Sequence, residues 1–84
     1  MKVYVLTVVD FVYNKATMRA FKTYKGADTY VRGILEYYQK EGFTISYDGI
    51  NAMAGSQYVM KIMELDTKYD DWSGLSINKA DYLN

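Results

Sequence analysis

The chain has 84 residues, 50% hydrophobic and 17% aromatic, with ten Lys or Arg balanced by ten Asp or Glu; this is too apolar for a disordered segment, and no run approaches the roughly 20 apolar residues that span a bilayer. Zero net charge excludes the strong field of a basic nucleic-acid binder or an acidic DNA mimic, although residues 1–42 carry seven bases against four acids and residues 43–84 three against six, a dipolar arrangement. The absence of histidine and cysteine rules out Ser-His and Cys-His couples, disulfides and imidazole or thiolate metal sites, and is compatible with the reducing cytoplasm expected for this protein.

A chain of this length forms one small domain that buries roughly 60% of its unfolded-state surface and gains from a partner. Its first long stretch, V-Y-V-L-T-V-V-D-F-V-Y from Val3 to Tyr13, is apolar on both sides of a strand. Val3, Val5, Val9, Phe11 and Tyr13 line one face, and Tyr4, Leu6, Val8 and Val12 the other, interrupted by Asp10. The opening resembles a signal peptide, but the apolar run breaks at Asp10 and no small-residue cleavage site follows, so it reads as a strand.

Asn14-Lys15 makes a polar turn into a second strand, Ala16 to Phe21. Thr23 is the N-cap of a helix from Tyr24 to Glu41, although Gly26 at the third helical position cannot complete a capping box. Ala27, Tyr30, Val31, Ile34, Leu35 and Tyr38 recur at helical spacing as the buried stripe, opposite Asp28, Arg32, Glu36, Gln39 and Lys40. Gly42 supplies a left-handed helix end, and Phe43 folds back onto the last turn. Phe43 to Tyr47 reads as a third strand, Asp48-Gly49 as a turn, residues 50–57 as either a short strand paired with what precedes it or, in preference, a loop, and Tyr58 to Asp66 as the last strand. An acidic stretch follows, and Ser76 caps a short helical turn reaching Leu83.

The order strand-strand-helix-strand-strand predicts an α+β fold: a small antiparallel sheet with one long helix on one face. Residues 1–66 form the core of a single domain spanning 1–84. The tail 67–84, with Trp72, Leu75, Ile77 and Leu83, is expected to cover the second sheet face or to supply an interface.

The opening K-V-Y-V-L-T, the G-F at 42 and 43, the Y-D-G-I at 47–50 and the closing E-L-D with D-D-W-S-G-L resemble a family of small bacterial and phage proteins of unknown function. The resemblance implies no catalytic activity. It implies a phage or prophage origin, and with it an inhibitor that docks on a host or defence protein.

Chemistry-bearing residues point the same way. Glu64, Asp66, Asp70 and Asp71 lack the spacing of a calcium loop and read as a solvated acidic turn, so no metal or cofactor is expected. Gly26-Ala27-Asp28-Thr29 lacks the Gly-Lys-Ser/Thr ending of a phosphate loop. The chain is therefore expected not to be an enzyme. Of its ten tyrosines, most fit core faces, whereas Tyr37 lies at the margin of the helix stripe, and tyrosine is a favoured interface residue. Tyr37, Tyr4, Asp10 and Trp72 are the candidate contacts to a protein partner, either a second copy of the chain in a homodimer or a host protein. The alternative is a nucleotide or nucleic-acid binder using Arg19, Lys22 and Lys25 with tyrosine stacking.

Overall fold

A computed structural model describes residues 2–66. Its elements are β1 (Lys2–Asp10), β2 (Lys15–Phe21), α1 (Tyr24–Lys40), β3 (Ile45–Tyr47), β4 (Asn51–Ala54) and β5 (Tyr58–Asp66). They make an α+β fold in which a five-stranded antiparallel sheet, ordered β2-β1-β5-β4-β3, carries the helix. The chain leaves the sheet at one edge, crosses it as α1, re-enters at the opposite edge and meanders back to pair β5 with β1. A 17-residue helix is ~25 Å long, enough to cross five strands spaced by ~4.8 Å, and α1 touches every strand.

The apolar residues of the two-faced first strand separate as alternation requires. Leu6, with Tyr4 and Val8, faces the helix and joins Phe21, Ala27, Val31, Leu35, Ala52, Met60 and Ile62 in the main core. Val3 and Val5 face the other way, fully buried with Ala20 and packed by Leu65. Farther along that second face, Met18, Met53 and Met63 are substantially exposed. The expected covering of this face by Trp72, Leu75, Ile77 and Leu83 lies outside the described residues, as does the helical turn beginning at Ser76.

Four expectations are corrected. The first strand ends at Asp10, because the Asp10 carboxylate accepts the backbone N–H groups of Val12 (2.8 Å) and Tyr13 (3.3 Å) and folds residues 11–14 into a turn. Asn14, at φ 53°, closes that turn in the left-handed region that asparagine tolerates. Phe43 is not a strand residue: its N–H donates to the Tyr38 carbonyl (3.0 Å) and its ring packs on Tyr38, which completes a helix C-cap. Gly42, at φ 97°, makes the left-handed step required there, and its N–H donates to the Gln39 carbonyl.

The third correction is that the segment read as a loop at 50–57 contains β4. Its inward residues are alanines, Ala52 and Ala54, which give little strand signal yet are completely buried beneath the helix. The fourth concerns Asp28, expected on the outer side of α1. It is drawn to the β3 side, where it accepts the Tyr47 hydroxyl (2.6 Å) and Arg32 Nε (2.9 Å).

The helix signals otherwise hold. Thr23 Oγ1 accepts the Gly26 N–H at 3.0 Å, and Ala27, Val31 and Leu35 are the fully buried residues of α1, flanked by half-buried Tyr30, Ile34 and Tyr38. Asp48 Oδ1 accepts the N–H groups of Ile50 and Asn51 in the turn between β3 and β4. No helix among the described residues is long and apolar enough to cross a membrane.

Candidate functional site

The two flanks of α1 differ in chemistry. On the β3 side, Asp28, Arg32, Tyr47 and Tyr24 form a polar network that fastens the helix to the turn at Gly49, whose carbonyl accepts the Tyr24 hydroxyl. The Tyr47 hydroxyl, followed by Arg32, holds the Asp28 carboxyl below its ordinary pKa, while burial pushes the Tyr47 phenol upward. The hollow on this side is lined by Arg32 and Glu36 together, so its charges are mixed. These groups satisfy one another and offer little to a ligand.

The β2 flank is concave and aromatic. A groove of about 400 Å³ lies between α1 and the β1–β2 hairpin, with Leu6 and Val8 as its floor, Thr17, Met18 and Arg19 along β2, and Tyr30, Ile34 and Tyr38 along the helix. It continues over the helix into a wider hollow of about 590 Å³ lined by Thr29, Tyr30, Gly33, Ile34, Tyr37 and Tyr38. A third hollow at the helix start, walled by Thr23, Lys25, Gly26 and Thr29, is again bounded by Tyr30. Tyr30 thus joins all three into one surface. Among the described residues, the charged side chains lining it are Arg19 and Lys25, and no described carboxylate lines it. The Arg19 guanidinium lies 4.9 Å from the centroid of the Tyr30 ring, a cation–π arrangement.

The far end of the groove is a cluster of packed rings. Tyr38 stacks on Tyr58 with ring centroids 4.2 Å apart, and Phe43 meets both edge-on. Burial, helped by a hydrogen bond with Tyr58, pushes the Tyr38 phenol up to about 12. Tyr37 stands against this cluster, its ring edge-on to Tyr38. The β1–β2 turn lies at the same end, since Asp10 pairs with Tyr58 and the Phe11 N–H donates to the Gln57 carbonyl at 2.8 Å. Phe11, Val12, Tyr13 and Tyr37 are 58, 49, 71 and 60% exposed. Large apolar side chains grouped in this way on a small domain mark a contact surface.

The structure sorts the expected contact residues. Tyr37 stands on this surface. Tyr4 packs against the main core with its ring edge-on to Tyr24, and Asp10 holds the turn. Trp72 lies outside the described residues. Arg19 and Lys25 line the concave surface, and Lys22 precedes the helix cap. Glu64 pairs with Lys2 at 3.1 Å in the open, Asp70 and Asp71 lie outside the described residues, and no acidic group able to hold a metal is found among the described ones.

Sequence reasoning missed Phe11, Val12 and Tyr13 as exposed residues because their alternation continues that of β1. It also passed over Gly33. A Cβ built there meets nothing within 4 Å, so nothing among the described packing calls for a glycine that costs about 0.5–1 kcal/mol relative to alanine in a helix interior. The missing side chain instead opens the hollow between Tyr30, Ile34 and Tyr37. An exposed glycine within a strongly amphipathic helix was the available signal.

No family model matches the chain, and comparison with curated proteins and with solved structures likewise yields no match.

Proposed function

We propose that this protein is a non-enzymatic protein-binding module whose contact surface is the β2 flank of α1 together with the β1–β2 turn. The observation that carries the reading is the continuity of that surface. Three hollows meet at Tyr30, bordered by the exposed Tyr37 and floored by apolar side chains, and Gly33 deepens the surface at a cost in helix stability. Aromatic rings with few rotatable bonds, set around an apolar hollow that a partner can desolvate, are what partner-binding hot spots are made of. A role as an inhibitor that blocks a larger host or defence protein, and a phage origin, belong to the same proposal and draw their support from the sequence resemblance alone.

A nucleic-acid reading has one observation in its favour, the cations Arg19 and Lys25 beside Tyr30. Salt separates the two. Phosphate binding falls steeply with ionic strength through counterion release, whereas an aromatic protein interface changes little. The experiment compares capture from bacterial lysate by the wild-type chain and by a Tyr37→Ala, Gly33→Ala double variant of unchanged fold, at low and high salt. A protein retained at both salts by the wild type and lost from the variant supports the proposal. Equal retention by the two removes this surface as the site, and salt-labile recovery of nucleic acid favours the alternative.

A further inference from the structure

The outer side of α1, turned away from buried Val31 and Leu35, has two unlike margins with a gap between them. On the β2 side stand Tyr30, Ile34 and Tyr37. On the β3 side stand Arg32 and Glu36, whose own partners, Asp28 at 2.9 Å and Lys40 at 3.3 Å, lie one helical turn away. Gly33 occupies the gap, exposed, where a Cβ would meet nothing within 4 Å. Along the helix the charged margin alternates in sign, Asp28, Arg32, Glu36, Lys40. These charges are satisfied within the chain, yet a row that alternates in this way is its own complement when reversed.

We propose that two copies of the chain associate through α1, antiparallel about a two-fold axis at the level of Gly33 and Ile34, with Tyr37 of each copy seated in the hollow that Gly33 opens in the other. The inference rests on the protein-binding reading and makes the partner at this hollow a second copy. An isologous pair lays one patch on itself, so each contact occurs twice. With the helices antiparallel, like margins meet. Tyr37 of one copy then lies between Tyr30 and Gly33 of the other, in the hollow of about 590 Å³ that these residues line with Thr29 and Ile34. On the other margin Arg32 falls opposite the other copy's Glu36. Each keeps its own partner, so an ion pair from each copy joins into a string of alternating charge across the seam. The missing side chain at Gly33 lets the axes approach toward the close end of the ~8–10 Å usual for packed helices.

The same features select the orientation and the occupant. A parallel pair would lay the aromatic margin of one copy on the charged margin of the other and align the two helix dipoles unfavourably. A foreign helix would have to match both margins at once, whereas this chain carries the protruding ring, the hollow and both signs of charge on one face. A seam of one ~25 Å helix from each copy buries less than the ~1,600 Å² of a standard interface, so the dimer is of the weaker class and forms at micromolar concentrations and above.

Sedimentation equilibrium of the full chain at about 10 to 500 μM tests this and should show a monomer–dimer equilibrium. Gly33→Leu, which blocks the close approach, and Glu36→Arg, which sets cations opposite each other, should each raise the dissociation constant by about tenfold or more while the circular dichroism spectrum stays that of the wild type. If Gly33→Leu fails to fold, Glu36→Arg and the cross-links decide. The chain has no cysteine of its own, so introduced thiols read the register. A short bismaleimide should link Thr29→Cys chains to Lys40→Cys chains in a mixture, and should link neither variant to itself. Self-linking of either variant, or a dimer that both Gly33→Leu and Glu36→Arg leave intact, overturns the inference. A monomer throughout the range also overturns it, and capture from lysate then decides the broader reading. A protein lost from the Tyr37→Ala, Gly33→Ala variant keeps that reading with a foreign partner, and equal retention removes both.

Discussion

Tyr38 and Tyr58 stack with ring centroids 4.2 Å apart and planes inclined by 22°, which clamps the C-terminal half of α1 onto β5. Tyr37, the next residue along the helix, touches the same cluster edge-on yet stays mostly in solvent. Two adjacent tyrosines therefore divide between packing and contact.

That division sets the first prediction. Tyr38→Ala removes the stack and the Phe43 contact and should cost about 2 to 4 kcal/mol, whereas Tyr37→Ala should change stability by no more than about 0.5 kcal/mol. Binding of a captured partner should instead weaken by about 1 to 2 kcal/mol in Tyr37→Ala. Paired thermal melts and titrations read both. Equal destabilisation by the two changes, or unimpaired binding by Tyr37→Ala, removes the proposed surface.

The helix core is tested by Leu35→Ala. Leu35 is fully buried with Val31 and Ala27 against the sheet, so truncation should cost about 2 to 5 kcal/mol. Each kcal/mol lowers the melting temperature of a domain this size by roughly 4 to 8 °C. Ile34 is only half-buried, at the groove, and Ile34→Ala should lower the melting temperature less.

Gly33→Ala should raise stability by about 0.5 to 1 kcal/mol, since the added methyl meets nothing and the unfolded chain loses freedom. The same methyl projects into the hollow that Gly33 lines with Tyr30 and Tyr37. Denaturant melts should show a gain in stability while partner binding falls; a gain in both would mean that no partner approaches the helix there.

Acid should loosen the β3 flank. The folded-state pKa of Asp28 is depressed, first by the Tyr47 hydroxyl and then by Arg32, and that of Asp48 by the Asn51 and Ile50 amides. The stability they contribute is present above the unfolded value near 3.8 and disappears as pH falls through their lower folded values. Chemical denaturation from pH 6 down to about pH 2 should show this decline, and Asp28→Asn should flatten it.

Alkali acts on the other flank. Burial raises the Tyr38 phenol from 10.0 to about 12, so in that interval the unfolded chain loses a proton that the folded chain keeps. Its contribution is whole below pH 10 and is lost as pH rises toward 12. Denaturation midpoints across this range should fall, and Tyr38→Phe should fall less.

The local elements were legible in the sequence because their signals are local. The stripe from Ala27 to Tyr38, the Thr23 cap, the Gly42-Phe43 ending and the Asp48-Gly49 turn each depend on neighbours within a few residues, and each forms. The alternation in β1 and β5 likewise foretold which residues share a face, though not which of the two faces the helix covers. What required the tertiary structure was whatever depends on distant partners. Ala52 and Ala54 become strand residues because a helix lies over them and β5 beside them, although alanine itself has weak strand preference. Phe11, Val12 and Tyr13 continue the pattern of β1 yet leave it, since the Asp10 carboxylate captures two amides that the ladder would have used. Asp28 moves to a flank because Tyr47, 19 residues away, supplies a hydroxyl there. The concave surface around Tyr30 was out of reach for the same reason: its walls come from β1, β2 and α1, and only the strand order that leaves β2 at an edge brings Arg19 beside that ring.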